Sequence, residues 1–293
     1  MIIDIDEKSG FCFGVVNAIK RAEEEIERKG YLYSLGDIVH NRIELDRLAG
    51  KGLKTVSHSD IPSLRGDVLF IRAHGEPPAT YRMARNNGVT VIDATCPVVS
   101  KLQKSVVEAD GIMRPINGQV VILGKHGHAE VVGLNGQIEN RGIIVEDVKE
   151  LLETVDFSRP VFLLSQTTKP LSLFNEVAEV IREKVKEAGQ PEENVIIKDT
   201  ICRNVSNRGP HLQDFARHYD VILFISGKES SNGAVLYEQC RIANPRSYKI
   251  EDERDINTEW LEGASNIGIC GATSTPRWLM ERVREHLSNN IKM

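Results

Sequence analysis

The stretch that most constrains this chain is residues 89–101, VTVIDATCPVVSK. A short apolar run ends in Asp93, Ala94, Thr95 and Cys96, and Pro97 then opens an amphipathic segment, 98–110. Strand, tight turn and proline at the first helical position put the Cys96 sulfur at a helix N-terminus. The exposed amides and the dipole of such a position favour a thiolate over a thiol. The plan recurs. Residues 195–202, VIIKDTIC, are again a strand ending in Asp-Thr and then Cys202, and 9–20, SGFCFGVVNAIK, set Cys12 in a glycine-flanked turn before a helix.

Polar loops follow these cysteines at repeated intervals. His40, His128 and Ser231 come about 30 residues after each one, and His74, Thr167 and Ser274 some 60 to 70 residues after it. Every such loop ends an apolar, strand-like run: 31–35, 68–72, 119–123, 161–164, 221–225 and 266–269. Helical patterns lie at 15–29, 42–49, 80–87, 98–110, 171–188 and 277–287. Strands alternating with helices argue for parallel sheets, whose ligand groups sit in loops beyond the carboxyl ends of strands. The expected fold class is therefore α/β: three lobes related by a pseudo-threefold, with mostly parallel sheets and the three cysteines near the axis. The lobes are expected at 1–96 with Cys12, at 97–194 with Cys96 at its start, and at 195–293 with Cys202. The opening strand at 2–5 falls in the first.

Composition narrows the setting. The 293 residues are 41% hydrophobic, enough for a real core, and the net charge of −5 without a basic run excludes a general affinity for nucleic acid. The opening MIIDIDEK carries acid and no apolar core, so no signal peptide is expected. No apolar stretch nears the roughly 20 residues of a membrane span. Five cysteines without closely spaced pairs do not form a secreted disulfide framework, and a reducing cytosol is expected.

Three converging thiols leave several chemistries open. A four-iron cluster held by three thiolates leaves one iron free to act on a substrate oxygen. Zinc would normally need a fourth ligand and two ligands close in sequence. Unconnected thiols are the third reading. The loops offer His40, His74, His128, Thr167, Ser230, Ser231, Asn232 and Ser274, compact and mostly neutral donors that suit a phosphorylated anion together with helix N-termini. Taken singly, SSN, TT and TST would be ordinary turns or caps. Glu130 is the carboxylate of these loops that follows a strand and two glycines, a proton donor if burial raises its pKa and a solvated acid otherwise. Cys240 and Cys270 match no repeat position and are expected as buried packing thiols, and His58, His211 and His218 as structural residues.

Nine motifs in order then resemble one known family, 4-hydroxy-3-methylbut-2-enyl diphosphate reductase: GFCFGV (10–15), VHNR (39–42), AHG (73–75), DATCP (93–97), GH-E (127–130), QTT (166–168), DTIC (199–202), SSN (230–232) and GATSTP (271–276). They span almost the whole chain. The resemblance implies a three-lobed fold around a central 4Fe-4S cluster, with Cys12, Cys96 and Cys202 as its ligands. It implies reductive removal of an allylic hydroxyl to give isopentenyl and dimethylallyl diphosphate. His40, His74, His128, Ser230, Ser231, Asn232 and Ser274 would hold the diphosphate. Thr167 and Glu130 would sit at the hydroxyl end, Glu130 as proton donor. It further implies an electron donor protein such as ferredoxin or flavodoxin, a monomer, and a cytoplasmic location. Ala129 stands where the family commonly has proline, and Gly233 where it often has a second serine. Two other classes compete: a non-catalytic iron–sulfur sensor or electron carrier, which would need neither anion loops nor Glu130, and a zinc-dependent hydrolase.

Overall fold

The computed structural model describes residues 2–228 and 230–290. Its first half runs β1 (Ile2–Ile5), α1 (Phe13–Lys29), β2 (Leu32–Leu35), α2 (Arg42–Lys51), β3 (Leu53–Val56), β4 (Val68–Ile71), α3 (Pro78–Asn86), β5 (Thr90–Asp93), α4 (Pro97–Met113), β6 (Gln119–Leu123) and α5 (Ala129–Gly136). There follow β7 (Ile143–Val145), α6 (Val148–Thr154), β8 (Val161–Ser165), α7 (Leu171–Glu187), β9 (Val195–Ile197), α8 (Arg203–Ser206), α9 (Arg208–Ala216), β10 (Val221–Ile225), α10 (Ser231–Ala243), β11 (Ser247–Ile250), β12 (Asn266–Gly271) and α11 (Arg277–Asn290). The fold class is α/β, with three four-stranded parallel sheets, as the alternation of strands and helices predicts. Among the described residues no helix is long and apolar enough to cross a membrane.

The chain divides into two compact units. One comprises Leu32–Gly36 and Lys54–Cys202. It contains the sheets ordered β3-β2-β4-β5 and β7-β6-β8-β9. The second of these shows why apolar runs without polar alternation make its strands. Val121, Leu123, Val161 and Leu163 face Phe174, Val177, Ile181 and Val185 of α7. Their neighbours Val120, Ile122, Phe162 and Leu164 face Leu102, Val106, Ala109 and Met113 of α4. A parallel sheet covered on both faces needs apolar residues at both parities.

The other unit comprises Met1–Tyr31, Asp37–Leu53 and Arg203–Met293, and its sheet is β11-β10-β12-β1. Here Val221, Leu223, Ile225, Ile267 and Ile269 pack on Leu279, Met280, Val283 and Leu287 of α11. Ile222 and Phe224 pack on Leu212, Ala216 and Leu236. Cys240 and Cys270 lie in that second layer, fully buried, with their sulfurs 3.9 Å apart. Burial pushes the Cys270 thiol up, as suits a packing residue.

In the sheets β3-β2-β4-β5 and β7-β6-β8-β9 the strands lie, in chain order, second, first, third, fourth, and β11-β10-β12 repeats the first three places. The third sheet takes its fourth strand from the N-terminal segment. Ile2–Ile5, expected to open the first lobe, instead lies along β12 with Ile2 opposite Asn266 and Ile5 opposite Ile269. The edge strands β3, β7 and β11 carry no apolar run long enough to announce them in the sequence. LKTV and SYKI mix polar with apolar residues, and IIV is three residues long.

The helix that carries Glu130, α5, is seated by two glycines. A Cβ on Gly136 would lie 2.5 Å from Cβ of Pro77, and one on Gly133 would lie 3.3 Å from the Gly75 carbonyl oxygen. The helix thus lies directly on the 73–77 loop. Gly136→Ala should lower unfolding stability by up to about 2 kcal/mol, an overpacking cost of about 1–3 kcal/mol less the roughly 1 kcal/mol by which alanine is the better helix former. Urea denaturation checks this, and an unchanged midpoint would mean that the Pro77 loop yields freely.

Candidate functional site

Each repeat cysteine is built by the same two devices. An aspartate closes the strand and accepts, through its side chain, a bond from the amide two residues on. Lys8 N donates to Asp6 Oδ1 at 3.3 Å, Thr95 N to Asp93 Oδ1 at 2.9 Å, and Ile201 N to Asp199 Oδ1 at 3.0 Å. The cysteine amide then donates to a carbonyl in the loop after the neighbouring strand: Cys12 to Thr273 (3.3 Å), Cys96 to Ala73 (3.0 Å) and Cys202 to Thr167 (2.9 Å). Cys12 and Cys96 are the N-cap residues of α1 and α4, with Pro97 in the first turn of α4, and Cys202 immediately precedes α8. None of the five cysteines is in a disulfide, and the three repeat cysteines are half-buried.

In the unit of residues 32–36 and 54–202, four predicted residues form one polar knot. Glu130 lies in the first turn of α5 and is 2% exposed. Its Oε1 accepts from Thr167 N at 2.7 Å and its Oε2 from Thr167 Oγ1 at 2.8 Å. Burial raises its pKa, the two Thr167 bonds lower it, and burial prevails, leaving it pushed up to about 7. His128 caps the helix by accepting from Glu130 N at Nδ1, 3.2 Å away. In the neutral ring that bond leaves the proton on Nε2. The His74 ring stands edge-on to His128 with centroids 5.3 Å apart. Gly75, at φ +70°, supplies the left-handed turn after His74, which a residue with a side chain rarely adopts. Gln166 ties the loops together: its Oε1 accepts from Lys125 N and its Nε2 donates to Thr168 Oγ1.

In the other unit, Ser230 caps α10 by accepting from Gly233 N at 3.0 Å, and its Oγ lies 3.2 Å from Ser274 Oγ. Asn232 Oδ1 accepts from Thr273 Oγ1 at 2.8 Å, beside the carbonyl that receives the Cys12 amide. His40 precedes Asn41, the N-cap of α2. Its carbonyl approaches Gly227 so closely that a Cβ there would lie 2.6 Å away. The predicted Ser231 opens α10, and its side chain lies outside those described.

The structure thus gathers His74, His128, Glu130, Thr167, Cys96 and Cys202 on linked loops of one unit. It gathers Ser230, Asn232, Ser274, Cys12 and the His40 backbone on linked loops of the other. Sequence reasoning passed over Asp6, because it stands six positions before its cysteine where Asp93 and Asp199 stand three before theirs. It also passed over Thr273 and the cap Asn41. The histidines outside the repeats have carboxylate or backbone partners: His58 on Glu76, His211 on Asp6, and His218 on the Asp214 carbonyl.

Comparison with known proteins agrees over the full length. The family model described as LytB protein matches residues 3–288. A Porphyromonas gingivalis protein named 4-hydroxy-3-methylbut-2-enyl diphosphate reductase is 50% identical over 287 residues, 97% of this chain and 98% of its own. A Bacteroides fragilis protein of the same name is 47% identical over 290 residues, 99% of this chain and 98% of its own. The solved structure of an (E)-4-hydroxy-3-methyl-but-2-enyl diphosphate reductase, described as the terminal enzyme of the non-mevalonate pathway, superposes with a TM-score of 0.73 at 34% identity. It covers 98% of this chain and 99% of that one. A Plasmodium falciparum reductase structure shares the fold with a TM-score of 0.82 at 24% identity, over 99% of this chain and 88% of that one.

The buried carboxyl sets a measurable pH dependence of stability. Its folded pKa of about 7 lies above the ordinary 4.5, so the folded state holds the proton more tightly than the unfolded one. The resulting stability is fully present below pH 4.5 and is lost as pH rises through 7. Glu130→Gln carries no charge and escapes that loss. Its stability relative to the parent should rise by about 3 kcal/mol between pH 4.5 and pH 8, at about 1.4 kcal/mol per pKa unit. Urea titrations at both pH values measure the difference, and a constant gap would mean that Glu130 is hydrated.

Proposed function

The chain belongs to the LytB protein family, and from that membership we propose that it removes the allylic hydroxyl of (E)-4-hydroxy-3-methylbut-2-enyl diphosphate, giving isopentenyl and dimethylallyl diphosphate. It is an oxidoreductase of the non-mevalonate isoprenoid route, like the relatives that share its full length. One observation carries the assignment of roles: a buried acid near neutral pKa is bonded to Thr167, whose carbonyl also receives the Cys202 amide. That arrangement holds a proton donor beside a cysteine-bearing turn.

The three repeat cysteines suit an iron–sulfur cluster by donor chemistry, being thiols at the starts of helical segments and outside any disulfide. Cys12, Cys96 and Cys202 would be the ligands of one 4Fe-4S cluster. When bound, such a cluster supplies electrons and, at an iron without a fourth thiolate, a Lewis acid. The chain supplies the rest. Protonated Glu130 gives its proton to the leaving hydroxyl, which departs as water rather than as hydroxide. Thr167 holds the carboxyl in place through both its oxygens. Two electrons and two protons balance the reaction, one proton leaving in the water and the other ending on carbon. His40, His74, His128, Ser230, Ser231, Asn232 and Ser274 take the diphosphate. His128 and Ser230 cap helices, and His40 precedes the cap of one, where backbone amides attract an anion. Neutral donors bind that charge without drawing the proton from Glu130.

The electrons come from a carrier protein such as a ferredoxin or flavodoxin, and the enzyme is a cytoplasmic monomer in this reading. The repeats at 1–96, 97–194 and 195–293 act as its lobes, with β1 lent to the third sheet. A zinc-dependent hydrolase would be colourless and zinc-loaded, and an electron carrier would have no use for a buried acid at Glu130.

Anaerobically purified protein should be brown and carry about four irons. In an assay with the hydroxylated allylic diphosphate and an artificial reductant, Glu130→Gln should lower kcat by at least about 100-fold with the iron content unchanged. The parent kcat should fall about tenfold per pH unit above about 7, as Glu130 loses its proton. Undiminished turnover by Glu130→Gln removes the residue from the chemistry, and zinc in place of iron rejects the reductase.

A further inference from the structure

We propose that Asp6, Asp93 and Asp199 are positioning residues: each folds the turn that aims the following cysteine, and loss of one loosens the hold of the sulfurs on a bound cluster. The proposal rests on the reading that Cys12, Cys96 and Cys202 hold that cluster.

Three unlike sequences separate aspartate from cysteine: EKSGF, AT and TI. In all three the carboxylate accepts from the amide two residues on, and the cysteine amide reaches a carbonyl of the neighbouring loop. The carboxylate bond is the element common to the three turns. Each turn is also locked from its far side, by different means. Asp93 receives the Tyr81 hydroxyl at 3.0 Å on its second oxygen and the Thr95 hydroxyl at 2.5 Å on its first. At Asp199 the lock is its neighbour Thr200, whose Oγ1 donates to the Ser165 carbonyl at 2.6 Å and accepts the Ser165 amide at 2.8 Å. Asp6, whose turn is the longest, is buried and has side-chain partners of its own. His211 Nε2 lies 2.7 Å from Oδ1, and Ser9 Oγ donates to Oδ2 at 2.7 Å.

A cysteine has only χ1 between its backbone and its sulfur, so a change in turn conformation moves Sγ directly. Metal–sulfur distances tolerate only about 0.2 Å, and residues that orient ligands from the second shell typically change metal retention 10–100-fold. Asp93 and Asp199 are exposed, so replacing them empties no core space.

The test uses the full-length protein loaded with iron and sulfide without oxygen, and follows transfer of iron to a ferrous chelator. Asp93→Ala and Asp199→Ala should release iron at least about tenfold faster than the parent, in line with other ligand-orienting residues. Asp93→Asn and Asp199→Asn keep an acceptor oxygen and should stay within about twofold. Asp156→Ala is the control for turn loss alone, because Asp156 makes the same bond to Ser158 N, at 3.1 Å, in a loop without a cysteine. The reduced cluster's electron paramagnetic resonance signal should shift in the alanine variants and not in this control. Alanine variants that retain iron as well as Asp156→Ala does would overturn the proposal, as would asparagine variants that fail to rescue. A parent protein that takes up no iron would instead overturn the cluster reading, and the proposal with it.

Discussion

A backbone hydrogen bond made three times is the constraint on which the rest depends. It runs from the amide of a cysteine to a carbonyl one loop away, and sheet register dictates it. Ile71 lies opposite Asp93 in the parallel pair of β4 and β5, so the chain leaving β5 must run beside the loop leaving β4. Cys96 then meets Ala73, and His74 follows at once. Slipping that pair by one residue would exchange the faces of every side chain on the strand and send the sulfur elsewhere. The apolar residues that fix the register are therefore also what aims the cysteines.

Glu130 shows how packing shifts the pKa of an ordinary carboxylate upward. Exposed, it would be ionised at neutral pH; buried without donors, it would hold its proton too tightly to give it up. The two Thr167 donors offset part of the burial and leave it near 7. That balance rests on how deeply α5 sits, which the bare faces of Gly133 and Gly136 allow. Residues with no titratable group thereby set the pKa of one that has.

The alternation of strands and helices and the recurrence of strand, turn and cysteine were legible because they are local patterns. The central strands announce themselves as uninterrupted apolar runs such as VILFI. Edge strands such as LKTV do not, being covered on fewer sides and free to carry lysine and threonine. The pairing of β1 with β12 left no local trace, since parallel neighbours need share no turn. Glu130 stood out by its place in a loop, but its burial comes from α5 and the 167 loop, which meet only in the folded chain. Asp6 escaped notice because a longer, glycine-containing turn stretches its distance to Cys12 while keeping the bond it makes.

The loan of the first strand to the last sheet has a consequence for biogenesis. Ile2–Ile5 and Cys12 leave the ribosome early, yet their hydrogen-bonding partners at 266–271 come almost a whole chain later. At roughly 5–20 residues per second the segment waits on the order of tens of seconds, during which the other two sheets have every residue they need. The sheet beside Cys12 is then the last to be completed, and until then β1 lacks the strand it pairs with.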